Sequence, residues 1–202
     1  ILRVADGIIT EIGSGLNVVG DEQLVDVQQK WLLPGLVDCH VHFREPGLER
    51  KEGYTFGSRG ALHGGVTTVC EIQNNPPLMS SPQLLQGKLD TLRGKSFVDY
   101  VPYGSLVEES LEHLPALAKL CPAVKCFLGC STGAGGVADT ATLKRWFAAA
   151  AKANLKVVAH CEDNAVMDAA TAEIGDDPDL GIRHDLRRSV KAEVESVREA
   201  ID

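Results

Sequence analysis

Leu36-Val37-Asp38-Cys39-His40-Val41-His42-Phe43-Arg44-Glu45-Pro46-Gly47 is an apolar strand that runs into a turn, with two histidines at its carboxyl end. Alternate side chains of a strand share a face, so Asp38, His40 and His42 are expected to point one way and Cys39, Val41 and Phe43 the other. Two imidazoles at this spacing can chelate one divalent ion; the same spacing also describes two surface histidines beside a turn. The segments on either side decide the fold. From Lys30 onward, apolar strands and helices alternate. Strands are predicted at Leu36–Phe43, Val66–Ile72, Phe97–Tyr103, Val124–Leu128 and Lys156–His160. Helices are predicted at Tyr54–His63, Pro82–Leu92, Glu108–Leu120, Thr140–Ala153 and Ser189–Ile201. Gly64-Gly65 ends the first of these helices and Asp139 or Thr140 caps the fourth. This alternation predicts βαβ units and a parallel sheet, whose carboxyl ends are where barrel enzymes build their active sites.

Upstream, residues 1–30 read differently. Asp6-Gly7 between Ile1–Ala5 and Ile8–Ile12 is a hairpin signal, and Leu24–Val27 is strand-like. This stretch is expected to be part of a small accessory β domain, with residues 31–202 forming the barrel portion. The absence of an initiator Met and of a signal peptide suggests a chain that enters its fold partway.

The composition excludes several classes. The 202 residues are 44% hydrophobic and 24% charged, which describes a soluble globular chain rather than collagen or a disordered segment. No apolar run is long enough to span a bilayer. Twenty basic against 28 acidic residues leave a net charge of −8, which argues against nucleic acid as a partner. Six cysteines without a CxxC pair read as reduced thiols in a cytosolic compartment.

Three further features carry chemistry. Lys125 lies in the apolar strand Ala123–Leu128, where an unpaired amine is costly to bury. Either it faces solvent from an edge strand, or it points into a site with a lowered pKa, as a nucleophile or a target for CO2. His160 ends a second apolar strand, before Cys161-Glu162-Asp163; it is either structural or a further ligand beside His40, His42 and Lys125. That donor set is nitrogen and oxygen, suited to zinc or a similar ion in an open site. The Gly-rich run Gly129–Gly136 lacks a GK[ST] ending and reads as a strand-to-helix loop. Cys39 and Cys161 read as packing residues. His63, His113 and His184 receive no role, the last lying in a polar loop.

The block Pro34–Gly47, with Lys51-Glu52 and Gly64–Val69, resembles the dihydroorotases of the amidohydrolase superfamily. REPG after HxH separates them from hydantoinases and allantoinases, which share HxH but usually lack that arginine. Asn74, Lys125 before the Gly-rich loop, and His160-Cys161-Glu162-Asp163 extend the match over nearly the whole chain. The resemblance implies a (β/α)8 TIM barrel, of which about five strands are expected here, since such barrels take about 250 residues. It implies the reversible cyclisation of N-carbamoyl-L-aspartate to L-dihydroorotate in pyrimidine synthesis. His40 and His42 would hold one Zn2+ and His160 a second, with carboxylated Lys125 bridging; Arg44 and Asn74 would grip the substrate carboxylate. The general acid–base aspartate is expected beyond residue 202, so this chain alone is expected to be inactive. Partners are the small substrate and, by the resemblance, a second copy or other pyrimidine enzymes. One departure is Ile72-Gln73-Asn74-Asn75, where many relatives read Met-Pro-Asn-Thr. Other hydrolases of neutral ring amides, and a non-catalytic dihydroorotase-like subunit, are the competing readings.

Overall fold

The computed structural model describes residues 1–129, 136–137, 139–175 and 184–202, in two units, Ile1–Pro34 and Gly35–Asp202. In the first unit β1 (Leu2–Ala5) pairs antiparallel with β2 (Ile8–Ile12) around Asp6-Gly7. Both turn residues are left-handed, with φ of 50° and 76°, as a two-residue turn that follows the strand twist requires. Arg3 ties this hairpin to the next loop by ion pairs to Glu11 and Glu22 and a hydrogen bond to the Asn17 carbonyl. The expected strand at Leu24–Val27 does not form. Leu24 and Val25 are exposed and pair with no neighbour, and an apolar pattern without a partner closes no ladder.

The second unit alternates as predicted. Its strands are β3 (Leu36–Val41), β4 (Val66–Glu71), β5 (Asp99–Pro102), β6 (Gly104–Ser105), β7 (Ala123–Leu128) and β8 (Lys156–Cys161). Its helices are α1 (Tyr54–His63), α2 (Pro82–Leu92), α3 (Leu114–Leu117), α4 (Thr140–Lys152), α5 (Asn164–Ile174), α6 (His184–Arg187) and α7 (Val190–Ile201). All its strand pairings are parallel. The predicted strand Phe97–Tyr103 is shortened to β5, which pairs with β4, and the chain beyond Tyr103 forms β6, which pairs with β7. The Tyr103 amide donates to the Glu71 carbonyl and the Leu106 amide to the Lys125 carbonyl. One chain segment thus serves both neighbours, and the order runs β3-β4-β5/β6-β7-β8 as a five-step arc.

The two faces of this arc separate by residue alternation except in β3. Its register shifts between Asp38 and Val41, so Asp38 does not share the face of His40 and His42 as strict alternation predicts. Val124, Cys126 and Leu128 of β7 pack outward on Leu117, Leu143, Trp146 and Ala150 of α3 and α4. Val69 packs outward with Phe43 on Tyr54 of α1 and Leu92 of α2. Inward, Ile72, Tyr103 and Ala123 meet Cys70, Val101, Phe127 and Val158, with no helix between them.

The segment Glu108–Leu120 is not one helix. A 3-10 stretch, Glu108–His113, gives way to α3, because Pro115 has no N–H and its ring excludes a regular preceding turn. Helix α5, not predicted from the sequence, is capped by Asp163, which accepts from the Val166 amide at 2.8 Å. His184 starts the short helix α6 instead of lying in a loop. Cys161 packs against the outer core, but Cys39 is exposed and is no packing residue. Of the Gly-rich run, residues 130–135 lie outside the described residues. Among the described residues no helix is long and apolar enough to cross a membrane.

Candidate metal centre

The four predicted ligands lie toward the inner face, with His40, His42 and Lys125 in contact and His160 beyond Phe127. Lys125 is 2% exposed, in the middle of the arc between β6 and β8, which excludes the solvent-facing edge position. Its Nζ lies 3.5 Å from Nε2 of His40 and 5.1 Å from the centre of the Phe127 ring. The His40 and His42 rings stand edge to face, 5.1 Å apart. His160, on β8, stacks obliquely 6.0 Å from Phe127.

Their electrostatics follow from that crowding. Burial pulls the Lys125 ammonium down to about 8, opposed by Cys161 and Cys126, and no carboxylate pairs with it among the described residues. Burial, then Lys125, and more weakly His42 and His160, hold His40 below the ordinary imidazole range. His42 is lowered first by burial, opposed by its hydrogen bond to the Ile72 carbonyl. That bond has a chemical consequence. A carbonyl only accepts, so Nδ1 of His42 donates, at 2.8 Å, and Nε2 keeps its lone pair. His160 donates from Nε2 to Glu162 at 2.7 Å, and Arg188 in turn holds that carboxyl below its usual range. Among the described residues, no three His, Cys, Asp or Glu side chains stand close enough to share one metal ion. The neighbourhood nevertheless fits a divalent cation in donor type. It gathers imidazoles around a lysine that pairs with no carboxylate, and a carboxylated lysine would supply an anion.

The carboxyl ends of β3 and β4 carry the other two candidates. Arg44 is half-buried, with φ of 63°, and its guanidinium makes no hydrogen bond or ion pair among the described residues. It lies close enough to His42 to lower that ring's pKa. Asn74 is 4% exposed and its Oδ1 is buried with no protein partner. A buried acceptor left open, and a guanidinium without a partner among the described residues, are groups that a polar ligand would satisfy.

The turn that carries Arg44 is anchored by residues whose roles the sequence reading missed. Glu45 is buried; it accepts from the Tyr54 amide at the start of α1 at 2.8 Å and pairs with Lys95. The Phe43 ring lies on Gly57, where a Cβ would come within 2.4 Å of it. Gln73 and Asn75, at two of the departures noted above, both donate to the Pro46 carbonyl, at 2.8 and 3.1 Å. Gln73 in turn accepts from Lys88, which also pairs with Glu71. Lys88 was legible: it occupies the helical position between Leu85 and Leu92, on the face of α2 that must be buried.

Parallel strands with helices on their outer side, and histidines and a lysine toward their carboxyl ends, describe part of an α/β barrel. A solved D-hydantoinase from a Bacillus sp. AR9 shares this fold, with a TM-score of 0.76 at 24% identity over 99% of this chain and 45% of that one. Sequence comparison narrows the class. A family model described as dihydro-orotase-like matches residues 29–185, and the chain belongs to that family. The dihydroorotase of Macrococcus caseolyticus is 34% identical over 166 residues, 82% of this chain and 38% of the relative. That of Bacillus cytotoxicus is 33% identical over 184 residues, 86% and 40% of the two chains. The chain thus spans 38–40% of the length of these curated relatives.

Proposed function

We propose that this chain carries the metal-binding and carboxylate-reading strands of a dihydroorotase, which interconverts N-carbamoyl-L-aspartate and L-dihydroorotate. The observation that supports this most is Lys125, buried beside His40 and His42 without an anion while the free guanidinium of Arg44 projects from the adjoining turn. In the ring-opening direction the ring N–C(O) bond breaks, the oxygen of water ends on the carbonyl carbon as a carboxylate, and the nitrogen takes a proton. His40 and His42 would hold one ion and His160 a second; zinc suits this imidazole-rich set. Divalent ions bound there would lower the pKa of water and polarise the amide carbonyl.

The chain's own residues prepare that chemistry. At a pKa of about 8, Lys125 holds a neutral-amine fraction at pH 7. Its nitrogen attacks CO2, forming the N–C bond of a carbamate and releasing one proton to solvent. The product is an anion placed beside His40, where the free lysine is a cation. Arg44 presents a planar fork that matches a carboxylate in two-pronged fashion. Asn74 leaves Oδ1 open to a ring N–H. The substrate is a small anionic ring amide, and a cytosolic protein with free cysteines fits the reading. The full-length gene product is expected to bind about two divalent ions per chain and to turn over dihydroorotate. His40→Ala should abolish that turnover. Activity retained in His40→Ala would sink the assignment, and turnover of hydantoin but not dihydroorotate would move the enzyme to the neutral-ring hydrolases.

A further inference from the structure

Behind the Arg44 turn lies a second polar cluster that the proposed chemistry does not use. The side chains of Lys88, on α2, and Glu71, on β4, are ion-paired and have no exposed surface. Nζ of Lys88 also donates to Oε1 of Gln73 at 2.5 Å and lies 5.8 Å from the centre of the Tyr54 ring. An ammonium only donates, so Lys88 orients the Gln73 carboxamide, with oxygen toward the cation and nitrogen away. That nitrogen donates to the carbonyl of Pro46, two residues past Arg44. On the other side of Arg44, the amides of Phe43 and Arg44 approach the Glu71 carboxylate and favour its ionised form, opposing the effect of burial. Oε1 of Glu71 closes no hydrogen bond of full geometry. Lys88 therefore reaches the turn from both directions, through Glu71 at its start and Gln73 at its end.

The turn needs such support. Arg44 is left-handed, which costs a residue with a Cβ on the order of 1–2 kcal/mol and persists only where the surroundings impose it. Stability alone does not explain a buried ion pair here, because apolar side chains of similar volume commonly serve as well.

We propose that Lys88 is a positioning residue for substrate selection: through Gln73 and Glu71 it holds the 43–47 turn in the conformation that presents the Arg44 guanidinium to the substrate carboxylate. The proposal rests on the reading of Arg44 as the carboxylate-binding group. Two variants of the full-length gene product test it. Gln73→Glu keeps an acceptor for Lys88 but sets an anion against the Pro46 carbonyl. Lys88→Met combined with Glu71→Leu replaces the ion pair by apolar volume, so that folding is retained even if Gln73→Glu is unstable. Each folded variant is expected to raise KM for dihydroorotate about tenfold, the loss of one well-placed charged contact, with kcat unchanged. Each is also expected to lose preference for dihydroorotate over dihydrouracil, the same ring without the carboxylate. Arg44→Met is the reference and should lose that preference by a larger factor. Wild-type KM and preference in the folded variants, or a fall in kcat with KM unchanged, would overturn the positioning role. An Arg44→Met variant that keeps the preference would show instead that the reading of Arg44 had failed, and the proposal would fall with it.

Discussion

Lys88 and Lys125 are each 2% exposed, and their surroundings are opposite. Lys88 lies on the helix side of β4, against a carboxylate, a carboxamide oxygen and the face of Tyr54. Lys125 lies on the inner side of β7, against an imidazole and the face of Phe127, and forms no ion pair among the described residues. Burial lowers the pKa of both; the Glu71 carboxylate partly restores that of Lys88, whereas Lys125 is opposed only by the thiols of Cys161 and Cys126. The difference separates scaffold from site. A buried cation with an anion built for it holds the backbone in place, whereas one without an anion is poised to react with or bind something from outside.

The same substitution should therefore have opposite effects at the two positions. Lys88→Met alone leaves Glu71 buried and uncompensated, and is expected to lower stability by about 3–5 kcal/mol in denaturant melts at pH 7. Lys125→Met, in the metal-free chain under chelator, should raise the melting temperature by about 2–4 °C, because it removes an unpaired buried charge. Shifts of the same sign at both positions would break the comparison.

The pH dependence of the Lys125 variant sharpens the distinction. Folded Lys125 loses its proton near 8, while the unfolded chain keeps its own until about 10.4. Between those values the unfolded state binds more protons, so the wild type gains stability as pH rises. The advantage of Lys125→Met should be full below pH 8 and fade toward about 10.4. A gain that persists at high pH would show that apolar packing, not charge, had been limiting. The smallest expected effect is at the N-terminus of the helix that carries Lys88. Ser81 accepts from the Leu84 amide, and Ser81→Ala should cost about 1 kcal/mol without changing KM for dihydroorotate. A KM change there would mean that general loosening of α2, rather than the Lys88 contacts, governs the turn.

Much of this was legible in the residues. The turn at Asp6-Gly7, the alternation of strand and helix, and the histidines at the end of β3 follow from local rules of backbone freedom and side-chain period. Pro115 as a helix breaker and Asp163 as a cap for α5 are local signals too, but the prediction of one helix over Glu108–Leu120 and of none at α5 passes over them. Strand-like character at Leu24–Val27 misled, because a strand exists only with a neighbour. The continuation of the chain past the predicted strand into β6 was hidden for the same reason: pairing with β4 on one side and β7 on the other is decided across long sequence separations.

By itself, then, the sequence determined the alternation of strands and helices and nominated the candidate ligands, since periods of 2 and 3.6 residues are properties of the local chain. It missed α5 and β6 and the register shift in β3. It left Lys125 open between solvent and site, and assigned no role to Lys88 or Glu45. Only the tertiary structure decided that Lys125 is buried without an anion, that Lys88 meets Glu71 from another element, and that Arg44 sits left-handed on a turn held by Gln73 and Asn75. Those outcomes depend on which groups the fold brings within a few ångströms of one another, because desolvation and charge pairing act through space and carry no signature along the chain.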